Sequence, residues 1–430
     1  YCGSRGGHVL AVPADWRSNP MILKNCMSRT LLAAVALAFS SVTASAETIT
    51  VCASGCDYTS INAAIGAASD GDVIQLAAET YAEEIVINKS IDLIGTIDKS
   101  GIPSSILQVE SGRVLRCAAE FEVEESVSLQ HLVIQGGNGI DGSGVVASPG
   151  IQLRMENCTL RNNSNLSGTG GAFVNYGTTV MVGCRFIDNR AESGAAIENN
   201  NGTMTIESCH FEGNIAFAYG AALRSRPSRE AYTQVISCTF LENVASRGGA
   251  ISIEPNASVE IIFCDFISNI AAELQSGGGA IWCETAQSAT ISSCTFANNS
   301  GSNGGAILNY ANSRPNVIDC EFISNQAASL GGAIASGLAS SPEIISCRFK
   351  RNTAGTSGGA IASDLSSDSR VEMSSFCENS PGDFSGDWID LGGNEFRLSC
   401  ECQGDLDENG VVDGGDLGAF FIFWGECQFK

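Results

Sequence analysis

From Cys158 to Asn379 the apolar and polar positions follow a pattern that restarts every 25 to 30 residues. One phrase of that pattern is Cys-x-Phe-x-x-Asn. It stands at Cys184–Asn189, Cys209–Asn214, Cys238–Asn243, Cys264–Asn269, Cys294–Asn299, Cys320–Asn325 and Cys347–Asn352. Cys158–Asn163 carries Leu160 in place of Phe, and Ser374–Asn379 has lost its Cys. The other phrase is Gly-Gly-Ala-Ile or a close variant, recurring from Gly170–Phe173 to Gly358–Ile361. Recurrence at this spacing is the mark of a solenoid.

The unit reads as β. It lacks helix-period stretches and is rich in Gly, Ser, Asn and isolated β-branched residues. An apolar residue stands three before most of the Cys (Ile206, Val235, Ile261, Ile291, Ile344), whereas Cys and Phe are two apart. A step of three breaks strand parity, so a corner falls between those positions. Two or three short strands per turn make an all-β, right-handed parallel β-helix. At the spacing of paired strands, about thirteen turns give a rod ~60 Å long. Asn is expected to hold the turns, in left-handed backbone and with amides bonded from rung to rung. Paired Gly is expected to start a strand, with Cys and Phe stacking inward.

Over Cys158–Asn379 these GGA[I/L/F] and FxxN phrases resemble the repeats of polymorphic outer-membrane proteins, which implies a surface-displayed β-helix associated with adhesion. That family's membrane barrel has no counterpart before Lys430. Residues 47–105, opening "TITVCASGCDYTSINAAIGAASDGDVIQL", resemble the start of pectin-lyase-like β-helices. There Ser60 is placed to N-cap a short helix through Ala68 that would cover the end of the rod.

Charge and targeting signals narrow the setting. Met27-Ser28-Arg29, the apolar run Leu31–Phe39 and Ala44-Ser45-Ala46 read as a secretory signal peptide, with a buried helix as the bland alternative. The expected location is therefore extracellular or at the cell surface, with the periplasm also open. The whole chain carries a net charge of −24, and removing residues 1–46 leaves 19 Lys+Arg against 46 Asp+Glu. Such a surface repels nucleic acid and anionic lipid. A 44% apolar content argues against disorder, and after signal cleavage no run suffices to span a membrane. The expected organisation is 1–46 upstream residues and signal, 47–105 cap and first rungs, 106–385 repeats, and 386–430 a Cys-bracketed tail.

Eight Cys from Cys158 to Cys347 occupy the ladder. Free buried thiols are expected, with occasional rung-to-rung bridges as the alternative. Cys52 with Cys56, Cys377 with Cys400, and Cys402 with Cys427 are possible pairs in an exported chain.

The tail holds the most explicit chemistry. In "GDLDENGVVDGGDL" oxygen donors fall at Asp405, Asp407 and Asn409, a turn Gly at Gly410, the Val411 carbonyl, then Asp413 and Asp416. This is the spacing of an EF-hand calcium loop, closed by Asp. With "LGAFFIFWG" it resembles one half of a dockerin, which implies Ca2+ binding and attachment to a surface component. The cohesin-reading positions of that family are Gly414 and Gly415 here, and its second half is missing, so a calcium-stabilised anchoring tag fits better.

If the Ile of each Ala-Ile points inward, the residues two and four after the Ala point outward. Rung by rung they are Val174 and Tyr176, Glu198 and Asn200, Arg224 and Arg226, Ser252 and Glu254, Trp282 and Glu284, and Leu308 and Tyr310. Aromatic, carboxylate and guanidinium groups on one long face suit a glycan. A solvated sheet face is the bland reading. Glu254 and Glu284 are candidates for an acid/base pair or a weak cation site. The expected function is a non-catalytic, adhesive or glycan-binding surface protein; the alternative is a polysaccharide lyase or glycoside hydrolase using the same face.

Overall fold

The computed structural model describes residues 46–119, 124–139, 141–226, 232–272, 277–286, 288–397 and 399–400. The expected signal peptide, the calcium loop from Asp405 to Asp416, and the Cys402 and Cys427 pair lie outside these residues.

The chain coils into a parallel β-helix. Its strands stack into sheets of 14, 13, 8 and 12 members, and every named strand pair is parallel. One turn shows the order: Thr178–Val182, Arg185–Ile187, Arg190–Ser193, then Ile197–Asn200. The third of these is a strand beyond the two or three expected. It follows the Asn corner and is short, often two residues, and its Ala (Ala191, Ala216, Ala245) is buried in a small cluster separate from the main interior.

Phe fills the interior. The rings of Phe186, Phe211, Phe240, Phe266, Phe296, Phe322, Phe349 and Phe376 are fully buried. Neighbours stack face to face, Phe266 on Phe296 with centroids 4.7 Å apart and planes 4° from parallel. Each contributes about 1.5–3 kcal/mol by leaving water.

The corners correct the expectation for Asn. Left-handed backbone falls on the residue before it: Asn298 has φ +56°, and Asp188, Glu242 and Arg351 occupy the same position. The buried Asn that follows bonds along the rod. Asn299 Nδ2 donates to Phe266 O and to Asn325 Oδ1, both at 2.9 Å. The Cys corner repeats this design. Ser293 is left-handed at φ +52°, while Cys294 Sγ accepts the Cys264 N–H at 3.4 Å and donates to Ser292 O at 3.1 Å. The ladder Cys are therefore buried, free thiols in the role of corner acceptors rather than plain apolar filler. Where Cys is lost, Ser374 Oγ accepts from Cys347 N at 3.0 Å.

Paired Gly makes the corner before the strand and does not start it. Gly304 has φ +69°, and a Cβ on Gly305 would lie 2.0 Å from Gly332 O of the next rung. Cys52–Cys56 and Cys377–Cys400 are disulfide-bonded. A helix spans Ile61–Ala67, with Ser60 Oγ accepting from Ala63 N and with Ile61, Ala64 and Ile65 buried. His131 occupies a left-handed corner at φ +56°.

Candidate functional site

The strand that follows the Gly corner carries the outward positions singled out from sequence, and its register is the expected one. Val174 pairs with Glu198, Glu198 with Arg224, Arg224 with Ser252, Ser252 with Trp282, and Trp282 with Leu308. Two residues on, Asn200 pairs with Arg226 and Glu284 with Tyr310. Parallel in-register stacking brings the candidates on the rod into two adjacent ladders.

The first of these two ladders is not displayed to solvent. Glu198 and Ser252 are fully buried and Trp282 is 1% exposed. What covers part of this line is the segment before the Gly corner, which carries Tyr219 and Arg247. Tyr219 lies 5.4 Å from Trp282, and Arg247 stands 5.5 Å above both rings and donates from Nη1 to Tyr219 Oη at 3.1 Å. Neither residue was singled out from sequence, because each sits outside the repeated phrases. Trp282 therefore stacks under Tyr219 and Arg247 and offers no ring to a ligand.

The floor is charged and largely self-compensating. Arg224 Nε donates to Glu254 Oε1 at 3.2 Å, and its Nη1 stands 3.6 Å from Glu198 Oε1. Arg226 Nη1 stands 3.7 Å from the same oxygen, and the Arg224 guanidinium lies 4.9 Å above the Tyr219 ring. Among the described residues neither Glu198 oxygen has a hydrogen-bond donor. Burial pushes this carboxyl up to about 7, against the pull of Arg224 and Arg226 and with the help of Glu254 and Asp141. Burial also raises Glu284, and Glu254 adds to it. The Tyr176 hydroxyl is raised by burial and Asp141, and it shares a hydrogen bond with Asn200.

The second ladder forms the accessible rim. Tyr176, Asn200, Glu254, Glu284 and Tyr310 are partly exposed and Arg226 is exposed. Further along, the outward positions shrink. Leu308 pairs with Ala335 and Ala335 with Ala362, leaving a cleft of about 170 Å³ lined by Leu308, Tyr310, Leu330, Ala335 and Asp364 among others. Among the described residues no group of three His, Cys, Asp or Glu is arranged to hold a metal ion. The calcium ligands read from sequence lie outside those residues. No helix among them is long and apolar enough to cross a membrane.

The chain is similar to parts of known proteins. Metabotropic glutamate receptor-like protein R of Dictyostelium discoideum is 29% identical over 166 residues, which cover 37% of this chain and 10% of that protein. The chain thus spans about a tenth of the length of the curated relative it matches. The A-module of the mannuronan C-5 epimerase AlgE6 of Azotobacter vinelandii superposes with a TM-score of 0.41 at 11% identity, over 78% of this chain and 91% of that one. The pectin methylesterase of Aspergillus niger gives 0.35 at 13%, over 61% and 83%. Likeness at that level says nothing of activity. The family described as right handed beta helix region matches residues 116–269 and 221–400, and the chain belongs to it.

Proposed function

We propose that this is an exported, surface-associated β-helical protein whose long outward face binds a glycan without turning it over. The observation that carries this reading is the internal neutralisation of the floor. Arg224 is shared between Glu198 and Glu254, so these charges act as a wall. The groups left to a ligand are the rim: Tyr176, Asn200, Arg226, Glu284 and Tyr310. Hydroxyl-rich chains suit such a mixture of donors, acceptors and tyrosine rings. In this reading the Ile61–Ala67 helix caps one end of the rod, and the Asp405–Asp416 loop binds Ca2+ and attaches the other end to a surface component.

A second reading, a polysaccharide lyase or glycoside hydrolase, draws on one feature. A carboxyl pushed up to about 7 is suited to general acid/base work near neutrality. One experiment separates the two. The purified protein is screened on a glycan array, with reducing-end and unsaturated-product assays on every glycan bound. Binding without product supports the first reading. Product formation that is lost in Glu198→Gln or Glu254→Gln establishes the second. Absence of both binding and product sinks both.

A further inference from the structure

The cleft lies beyond the charged floor on the same outward face. Both outward ladders lose their side chains at one rung: Trp282 and Leu308 give way to Ala335, and Glu284 and Tyr310 give way to Gly337. A gap therefore opens between Tyr310 on one side and Asp364 on the other, with Leu308, Ala335 and Ala362 as an apolar floor that is at most 4% exposed. Asp364 already accepts from Leu338 N at 2.8 Å and from Ser366 N at 2.9 Å, which fixes its carboxylate at the rim. Burial opposes ionisation, but hydrogen bonds from Leu338, Ser367 and Ser366 together hold the Asp364 carboxyl below the ordinary carboxylate range.

The size and chemistry of the gap select its occupant. Its volume is about 170 Å³, and a dry cavity of about 150 Å³ takes one benzene ring. One six-membered ring fills it. An apolar floor wants the C–H face of that ring, while a fixed carboxylate and a tyrosine hydroxyl at the rim want hydroxyl groups at its edge. An anionic group would meet Asp364 on a chain of net charge −24. We infer that this notch is a subsite for a single uncharged sugar ring, seated on Ala335 and Ala362 and bonded through its hydroxyls to Asp364 and Tyr310. The inference rests on the outward face being a glycan site and names the class of sugar it takes there.

The test uses the full chain and small probes: the methyl glycosides of glucose, galactose and mannose, with methyl glucuronide as the acidic counterpart. Binding is followed by saturation-transfer NMR. At least one neutral glycoside should bind and the glucuronide should not. Ala335→Leu, which repeats the leucine that Leu308 already places on this ladder, should weaken binding by about tenfold or more, the scale of a filled apolar pocket, with an unchanged melting temperature. If that variant does not fold, Ala362→Leu narrows the notch from the next rung and should act alike. Equal binding by parent and filled variants, or preference for the glucuronide, overturns the subsite. Array binding that persists while glycoside binding is unchanged in Ala335→Leu leaves the glycan-binding face standing while the subsite falls. Glycoside binding in the notch without any array binding sinks the extended glycan-binding face and keeps the subsite.

Discussion

Asn299 Nδ2 donates to Asn325 Oδ1 at 2.9 Å, across the gap between two turns of the coil. The bond is one of a series, since Asn299 Oδ1 in turn accepts from both N and Nδ2 of Asn269 at 3.0 Å. A buried amide so placed satisfies its own corner and the preceding one.

Replacing Asn299 by Ala strands those Asn269 donors away from water. Each unsatisfied buried group costs about 1–3 kcal/mol, so Asn299→Ala should lower stability by several kcal/mol. Denaturant unfolding midpoints would measure this. A loss below about 1 kcal/mol would mean that water replaces the amide.

The Cys ladder makes a graded forecast. Because Ser374 already performs the acceptor role for Cys347 N at 3.0 Å, Cys294→Ser should cost less than Cys294→Val, which fills the space but offers the Cys264 N–H nothing. The difference should be about 1–2 kcal/mol. Native protein should also leave these thiols unlabelled by a thiol reagent, because they are buried.

Phe263, like Met373, is a bulky member of its corner. Where other rungs place Ser237 or Ser293, it holds a left-handed φ of +55° with its ring 62% exposed. Bulky side chains resist that backbone, and Asn accepts it. Phe263→Asn should therefore raise stability by about 0.5–1 kcal/mol, read as an upward shift in melting temperature. Destabilisation instead would indicate that the exposed ring packs against something outside residues 46–400.

What was legible in the sequence follows from what the coil repeats. In-register parallel pairing is imposed by the recurring Ala-Ile, so counting two and four residues onward from Ala placed Glu198, Arg224, Trp282 and Tyr310 on their correct ladders. Burial was not legible. It depends on the segment between the Asn corner and the Gly corner, where Tyr219 and Arg247 fold over the strand beside them. That segment varies in length and composition, and periodicity does not reach it. The position of left-handed backbone was misread for a similar reason. Ser, Asp, Glu and Arg share the corner site at which Asn298 stands, so no residue type marks it, while the invariant-looking Asn marks the buried amide one step later.

The proposed calcium loop is tested by its own chemistry. A hard cation at Asp405, Asp407, Asn409, Val411, Asp413 and Asp416 needs the full oxygen set. Calorimetric titration of the parent should show one Ca2+ site that disappears in Asp405→Ala and in Asp416→Ala. An Asp405→Ala variant that binds as tightly as the parent would remove the assignment.

The buried carboxyl of Glu198 makes stability depend on pH in an unusual direction. Its folded pKa is raised to about 7 from the ordinary 4.5, chiefly by burial. Between those two values the folded chain holds a proton that the unfolded chain has released. Raising the pH through that window therefore favours unfolding, and the slope is negative. The full span is worth up to about 3 kcal/mol, at 1.36 kcal/mol per unit, and above pH 7 the dependence should flatten. Glu198→Gln keeps the neutral shape, so it should erase this slope and exceed the parent in stability at pH 8 while matching it near pH 5. Unfolding midpoints of both proteins at pH 5, 6, 7 and 8 decide the matter. A parent that grows more stable from pH 5 to 8, relative to Glu198→Gln, would show that Arg224 and Arg226 hold the carboxylate ionised and that attraction outweighs desolvation at this site.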